Sequence, residues 1–270
     1  RRGVTMELPI FQVDAFTDRV FRGNPAAVMP LSQWLEDATL QAIAMENNLS
    51  ETAFLVAADA GYELRWFTPT VEVELCGHAT LAAAHVLFEH LAYTNDAIAF
   101  QTRSGELRVH RAGVGLTLDF PASELTVTEV ETAVCDALGG MASEALAVGE
   151  NGHSLLYVYE FEEDVAGLCP DFPALCAATG RCVIATAPGN DCDFVSRFFA
   201  PQFGIDEDPV TGSAHCSLVP YWAGRLHASE LQARQISARG GQLACELRGG
   251  RVLMTGSAVT YMRGTVLRVE

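Results

Sequence analysis

The segment Arg65-Trp66-Phe67-Thr68-Pro69 is repeated as Arg197-Phe198-Phe199-Ala200-Pro201, 132 positions later (65 to 197). Two further segment pairs follow in the same order at nearly the same spacing: Gly77-His78-Ala79-Thr80-Leu81 with Gly212-Ser213-Ala214-His215-Cys216 (135 positions, 77 to 212), and Arg103-Ser104-Gly105-Glu106-Leu107 with Arg239-Gly240-Gly241-Gln242-Leu243 (136 positions, 103 to 239). A single pair would be chance in a glycine-rich sequence. Three ordered pairs at half the chain length indicate a duplicated domain.

Short β-branched or aromatic runs bounded by turn residues predict a high strand content. These runs are 64–67, 97–102, 106–111, 115–120, 155–159, 183–187, 194–199, 251–255 and 264–269. One helix in each half is unusual. The segment 78–91 is apolar on nearly every face, so it must be buried and wrapped by strands. Its counterpart begins at Gly212 and runs towards Leu226, and we expect Pro220 to kink or shorten it.

These patterns predict an α+β protein of two pseudo-symmetric domains, each a strand barrel wrapped around a central buried helix. We expect the first domain to span 6–125 and the second to span 126–261. A C-terminal strand at about 262–270 is expected to return to the first domain. The chain length suits two domains of roughly 130 residues each.

The composition limits the partners and the compartment. The 270 residues carry a formal net charge of −17, which opposes binding to a phosphate backbone, so we expect no nucleic-acid partner. The apolar runs are shorter than the ~20 residues that a membrane span needs, so we expect no membrane partner. The eight cysteines form no C-x-x-C pair, which argues against a zinc site and a disulfide framework and favours the reducing cytoplasm. We expect residues 1–5 to be no targeting signal.

The two glycine-initiated helix starts are candidate anion sites. The first N–H groups of a helix have no intrahelical partner, and the helix dipole favours negative charge there. If the helices beginning at Gly77 and Gly212 face one cleft, a small carboxylic acid is the ligand that they would hold. Either glycine alone would be interpreted as a packing residue. Their repeat-related positions favour the binding interpretation.

Polar residues flank both starts. In the first half these are Cys76 and His78, and in the second they are Asp208, Thr211 and Ser213. Asp208 precedes Pro209, which favours an extended backbone before the helix turn. His78 is either a helix-capping or core histidine or a functional one. Cys76 is either a thiolate activated by the helix start or a small buried apolar residue.

Glu51 is a further candidate, in the run Asn48-Leu49-Ser50-Glu51-Thr52-Ala53-Phe54-Leu55-Val56. It opens a strand that is apolar on both faces and is therefore buried on two sides. A carboxylate at that place is expected to lose hydration and to have a raised pKa, as a general acid or base requires. The alternative is a glutamate at the exposed end of the strand, and spacing alone does not decide between the two.

Three motifs together resemble the phenazine-biosynthesis-like family of isomerases. They are the NLSETAF run around Glu51, the LCGHAT run at 75–80 and the DPVTGSA run at 208–214. The segments Asp14-Ala15-Phe16-Thr17 and Gly23-Asn24-Pro25-Ala26 are also similar to the family's first strand and loop. The resemblance covers the chain from about Phe11 onward. It implies the diaminopimelate-epimerase-like fold, which agrees with the duplication.

The resemblance also implies roles for individual residues. Glu51 would be the catalytic acid and base, with His78 and Asp208 as its catalytic partners. The implied substrate-binding residues are Asn24, Ser50, Cys76, Gly77, Thr211, Gly212 and Ser213. The reaction implied is movement of a proton on a small unsaturated or enolisable carboxylic acid, with no metal and no organic cofactor.

Two other functions stay open. Related epimerases use one cysteine from each half, and Cys76 occupies the first of these places while the second half offers Asp208. An epimerase or racemase that pairs Cys76 with Asp208 is therefore an alternative. A non-catalytic ligand-binding protein is the other. A homodimer is expected only because it is the commonest assembly, and the motifs do not specify the substrate.

Overall fold

The computed structural model describes residues 6–113, 115–150 and 152–268. Residues 1–5 and the last two residues of the predicted C-terminal strand lie outside the described residues. The chain forms two compact units. Unit 1 contains the chain up to Asp119 and again from Thr255, and unit 2 is Phe120–Met254. Among the described residues no helix has both the length and the apolar character needed to cross a membrane.

The first part of the chain alternates strands with two longer helices. In order these are β1 (Met6–Ala15), β2 (Asn24–Leu31), α1 (Asp37–Asn47), β3 (Glu51–Ala58), β4 (Gly61–Phe67), β5 (Glu72–Val73), α2 (Gly77–His90), β6 (Ala97–Thr102), β7 (Gly105–Ala112) and β8 (Gly115–Pro121).

The second part follows with the same kinds of element. In order these are β9 (Leu125–Thr128), α3 (Thr132–Leu138), β10 (Glu144–Val148), β11 (Ser154–Val158), α4 (Glu162–Ala166), α5 (Phe172–Ala178), β12 (Cys182–Pro188), β13 (Phe194–Ala200), the 3-10 turn Pro201–Phe203, β14 (Ile205–Asp208), α6 (Gly212–Leu226), β15 (Glu230–Gln235), β16 (Gly241–Arg248), β17 (Arg251–Gly256) and β18 (Ala258–Arg268).

The two units have the same strand pairing. In unit 1, β2 pairs with β3 in parallel, β3 with β4 antiparallel, β4 with β6 in parallel and β6 with β7 antiparallel. In unit 2, β11 with β12, β12 with β13, β13 with β15 and β15 with β16 repeat that series of directions. A repeated topology is independent of the repeated motifs. It therefore confirms the two pseudo-symmetric domains.

The strands that follow each repeat also correspond. β9 comes after the first repeat and pairs antiparallel with β10, the first strand of the second repeat. β18 comes after the second repeat and pairs antiparallel with β1, the first strand of the first repeat. Unit 1 thus combines strands from the N-terminal and the C-terminal part of the chain, whereas unit 2 is one continuous segment.

Helix α2 is the buried centre of unit 1, as its apolar sequence predicts. Its only residues that are not buried are His85, Glu89 and His90, near the C-terminal end. It contacts β1, β2, β3, β7 and β18, which surround it. A helix that is apolar on nearly every side must be surrounded by other elements. The surrounding strands therefore fix the position at which α2 begins.

Helix α6 is the corresponding helix of unit 2. Of the two effects expected of Pro220, a kink or a shorter helix, the second does not occur. The helix continues through Pro220 to Leu226. Proline removes the N–H that would bond to the carbonyl of Cys216 four residues earlier. The backbone N–H of Ser123 donates to that carbonyl instead, at 2.8 Å. The freed acceptor is therefore satisfied by a neighbouring segment, and the helix persists.

The repeated Arg-aromatic motif has a structural role in each unit. Arg65 makes two parallel hydrogen bonds to the carboxylate of Glu72, both 2.8 Å. Arg197 makes the same two bonds to Glu207, at 2.8 and 2.9 Å. In addition, each guanidinium lies over the phenylalanine two residues later, 5.1 Å from the Phe67 ring and 5.0 Å from the Phe199 ring. In each unit the arginine of the motif is thus held by a bidentate ion pair and a cation–π contact.

Candidate active site

The first cluster of candidate residues lies where β3 and α2 begin in unit 1. Glu51 is the first residue of β3, Cys76 precedes α2 as its N-cap and His78 is the second residue of the helix. The Oε2 atom of Glu51 is 3.2 Å from Nε2 of His78. The side chains are 12% and 5% exposed, respectively. Glu51 is therefore not at an exposed strand end, and the two titratable groups share a largely dry environment.

Asn24 fixes the direction of the His78 ring. Its Nδ2 donates to Nδ1 of His78 at 3.2 Å, and the Asn24 side chain is fully buried. With Nδ1 accepting, the N–H of the neutral ring is on Nε2, which faces Glu51. A protonated ring also has a hydrogen on Nε2. In either charge state, His78 therefore presents an N–H to the Glu51 carboxylate.

Gly23 determines the position of Asn24. Gly23 has φ +62°, and a Cβ at this position would lie 2.1 Å from the carbonyl oxygen of Ala15. Only glycine fits such a turn without a backbone shift. The turn places Asn24 at the start of β2, opposite Ala15 of β1. In the Gly-Asn-Pro segment, the glycine is thus required for steric reasons and the asparagine supplies the hydrogen bond to His78.

The charges in this cluster influence one another. Burial by itself lowers the pKa of His78, but Cys76 and Glu51 act in the opposite direction and raise it above its ordinary value. Burial, with a further contribution from the Glu51 charge, raises the pKa of the Cys76 thiol to about 11. Cys76 is consequently a neutral thiol at pH 7, not the thiolate that a helix start could have produced.

The second cluster lies at the start of α6 in unit 2. Asp208 ends β14, and Thr211 is the N-cap of α6. The Thr211 hydroxyl donates to Oδ2 of Asp208 in a short hydrogen bond. Gln235 completes the arrangement, because its Oε1 accepts from the backbone N–H of Thr211 at 2.8 Å and its Nε2 donates to the Asp208 carbonyl at 2.7 Å. The Asp208 carboxylate is therefore held in one orientation.

Sequence reasoning missed Gln235, although a signal was present. In β15 the side chains of Leu231, Ala233 and Gln235 alternate into the interior. A glutamine at a position where the strand period requires an apolar residue indicates a buried polar contact. Without the register of β15, the sequence gives no indication that the contact is with Asp208 and Thr211.

His215, one turn into α6, gives unit 2 a pH-dependent stability. Its Nδ1 bonds to the carbonyl of Thr211 at 2.8 Å, and its Nε2 has no hydrogen-bond partner among the described residues. Burial lowers the pKa of His215 to about 4. Between pH ~6.5 and ~4, His215 therefore binds a proton in the unfolded chain but not in the folded chain. The free energy of unfolding decreases as the pH falls through that range.

We expect His215→Gln to remove this dependence. Glutamine retains a donor for Thr211 but does not titrate, so the variant should lose about 3 kcal/mol less than the wild type between pH 7 and pH 4. Denaturant unfolding of both proteins at several pH values measures the difference, in which the carboxylates common to both cancel. Parallel stability profiles for the two proteins would contradict the prediction.

Residues 13–264 match the family described as phenazine biosynthesis-like protein. The chain belongs to this family. It is 52% identical over 261 residues to a Pseudomonas aeruginosa protein named as an uncharacterized isomerase, covering 97% of this chain and 99% of that relative. The crystal structure of a PhzF-family phenazine biosynthesis protein from Enterococcus faecalis aligns with a TM-score of 0.93 at 46% identity, covering 97% and 99% of the two chains.

A more distant likeness concerns the fold alone. A hydroxyproline epimerase from Agrobacterium vitis aligns with a TM-score of 0.62 at 12% identity, over 99% of this chain and 94% of the epimerase. This confirms the diaminopimelate-epimerase-like fold that the family resemblance implied. The family match and the names of the relatives support an isomerase of the phenazine-biosynthesis-like family.

The structure places the predicted site residues in two groups. Asn24, Glu51, Cys76 and His78 lie together in unit 1, with Ser50 preceding Glu51 and Gly77 as the first residue of α2. Asp208 and Thr211 lie together in unit 2, with Gly212 and the exposed Ser213 as the first residues of α6. The roles of these residues, and the idea that both helix starts serve one substrate, stay predictions.

Unit 1 also contains a set of side chains that could bind a metal ion. Glu51, Cys76 and His78 each offer one ligand atom, and these atoms all lie within 4.8 Å of one another. A search for C-x-x-C pairs in the sequence could not find this set, because its three ligands come from two separate segments of the chain.

Proposed function

We propose that this family member isomerises a small unsaturated or enolisable carboxylic acid by proton transfer, without a metal or organic cofactor, with Glu51 as the acid and base. The observation that supports this proposal is the pairing of Glu51 with His78. A largely buried carboxylate that faces an imidazole N–H at 3.2 Å, beside a helix start, has the chemistry of a general base next to an anion site.

In the proposed mechanism, Glu51 removes a proton from an activated C–H bond of the bound acid. The electron pair moves towards the carboxyl group as an enolate-like anion forms. The protonated Glu51 then returns the proton at another carbon, so the bonds of the substrate shift while its composition stays the same. His78 lies beside the Glu51 carboxylate and presents an N–H to it, 3.2 Å from Oε2.

Backbone N–H groups at the start of α2 supply the electrostatic part of this mechanism. Those of Gly77 and His78 lie in the first turn, where no helical carbonyl precedes them. Directed at a developing anion in a dry environment, such preorganised donors are usually the largest contribution to the rate. This half of the mechanism needs only unit 1. The partner role that the family resemblance gives to Asp208 is a separate proposal.

The alternative epimerase would use Cys76 as a base, which needs a thiolate. With its pKa raised to about 11, the thiol is ionised in only a small fraction of molecules at pH 7. The observation therefore favours Glu51 over Cys76. A purely ligand-binding protein is also less favoured, since it has no need for a buried carboxylate–imidazole pair.

An isotope-exchange experiment tests the choice between Glu51 and Cys76. The protein is incubated in D2O with a panel of enolisable acids, after dialysis against a chelator, and deuterium incorporation is followed by NMR. We expect Cys76→Ala to exchange within about tenfold of the wild type, because a residue that transfers no proton contributes only through packing. Loss of exchange in a folded Cys76→Ala protein would instead support the epimerase.

A further inference from the structure

We propose that Glu51, Cys76 and His78 form a binding site for Zn²⁺ or a similar borderline divalent cation. Their ligand atoms are a carboxylate oxygen, a sulfur and an imidazole nitrogen, and all three lie within 4.8 Å of one another. Sulfur together with nitrogen selects zinc over Mg²⁺ and Ca²⁺, which prefer oxygen ligands. This inference goes beyond the proposed function, which uses no metal.

The spacing of the three side chains is close to what zinc requires. Bond lengths of 2.0–2.3 Å place neighbouring ligands of a tetrahedral ion roughly 3.3–3.8 Å apart. Nε2 of His78 is 3.2 Å from Glu51 Oε2, and Nδ1 of the same ring is 3.5 Å from Cys76 Sγ. A single ion takes only one ring nitrogen, so one side chain must turn by about an ångström to complete the set. Three protein ligands leave the fourth position for water.

The ligand atoms can bond to an ion once the proton on Nε2 of His78 and the proton of the Cys76 thiol are released or moved. Among the described residues, neither His78 Nε2 nor Glu51 Oε2 has a hydrogen-bond partner of good geometry, so their contact is an electrostatic one. His78 is also 4% exposed. A buried polar pair that is not fully satisfied gains from a cation that bonds to both atoms.

The surroundings also suit a metal. Asn24 lies 3.2 Å from the other ring nitrogen of His78. When Nε2 binds the ion, the ring proton must be on Nδ1, so the Asn24 amide must turn to present its oxygen, which then accepts from Nδ1 as in other metal-binding histidines. The thiolate and the carboxylate together balance the two positive charges of the ion. Cys76 must lose its proton when the ion binds, so metal affinity is expected to increase with pH.

Metal binding and the proposed chemistry exclude each other. A cation on Glu51 occupies the carboxylate lone pair that the proton transfer uses, and it removes the His78 N–H that faces Glu51. The ion would therefore be an inhibitor, and this consequence alone depends on the proposed function. Binding itself is measured without substrate, so its failure and a failure of the proposed function are distinguishable.

Cobalt(II) is the probe for the test, because a Co²⁺–thiolate bond gives a near-ultraviolet charge-transfer absorption. The experiment starts from a double variant, Cys169→Ser with Cys176→Ser, which is called the parent. These changes remove two exposed thiols of unit 2 that could bind the ion by chance. We expect a saturable absorption band at one Co²⁺ per chain, which Zn²⁺ displaces and Mg²⁺ does not.

Three variants of this parent complete the experiment. Cys76→Ser should abolish the band, while Glu51→Gln should keep a weaker band with affinity reduced by at least the roughly 10- to 100-fold that loss of an outer-shell partner alone costs. Cys216→Ser is the matched control, because it alters a buried thiol at the repeat-related helix and should leave the titration unchanged. Absence of the band in the parent, or a full band in folded Cys76→Ser, overturns the proposal.

Discussion

Glu51→Gln is expected to slow the exchange of substrate C–H protons with solvent by about 10³-fold, because general acid–base groups contribute 10² to 10⁴. Glutamine has the shape of glutamate, and its amide oxygen can still face the N–H of His78. It cannot accept a proton from carbon. The change therefore removes the proposed chemistry while it preserves the packing at the start of β3.

The matched control for this variant is Glu46→Gln. Glu46 is exposed on α1 of the same unit, so the substitution changes the charge of the protein by the same amount. Exchange by the control should equal that of the wild type, as measured by NMR in D2O. A folded Glu51→Gln protein that exchanges at the wild-type rate would refute Glu51 as the acid and base.

Arg197→Met is expected to destabilise unit 2 by about 3–5 kcal/mol, the range seen when one partner of a buried ion pair is removed. The Arg197 and Glu207 side chains are 13% and 19% exposed, so the remaining carboxylate would be largely dehydrated without its partner. Arg197 also donates to the carbonyls of Val165 and Leu168, at 3.3 and 2.8 Å. Methionine replaces the aliphatic part of arginine but none of these hydrogen bonds.

Denaturant unfolding measures this loss, and Arg181→Met is its control. Arg181 pairs with Glu131 at 3.0 Å in the same unit, but these side chains are 38% and 42% exposed. An exposed pair contributes at most about 1 kcal/mol, because water screens it and holding two long side chains costs entropy. Equal destabilisation by the two substitutions would show that the repeated motif has no special structural role.

The sequence was sufficient for the repeat because the repeat is carried by local motifs. Arg65 and Arg197 stand in similar segments because each needs the same ion pair and the same aromatic neighbour. The central helices were also predictable, since α2 is apolar on nearly all sides and only a surrounding barrel can bury it. The family resemblance then supplied the fold name and the predicted roles of Glu51, His78 and Asp208.

Contacts between distant segments could not be predicted in this way. The hydrogen bond from Ser123 that satisfies the Cys216 carbonyl depends on where a loop passes. Nor does the sequence reveal that Gln235 reaches Thr211 and Asp208, because that contact requires the register of β15. The neutral Cys76 thiol is a third case, since its pKa follows from burial and from Glu51, which is 25 positions away (51 to 76).

The pairing of β18 with β1 has a consequence for protein synthesis. Unit 2 is contiguous and can complete its sheet as soon as β17 has left the ribosome. Unit 1 is translated first but lacks β18, which pairs along β1 and contacts α2. Although domains commonly fold in the order of synthesis, here the first unit is the last to be completed. Until then part of β1 and of the apolar α2 is uncovered, and a ribosome that stalls before residue 258 leaves the Glu51 and His78 pair in an unfinished barrel.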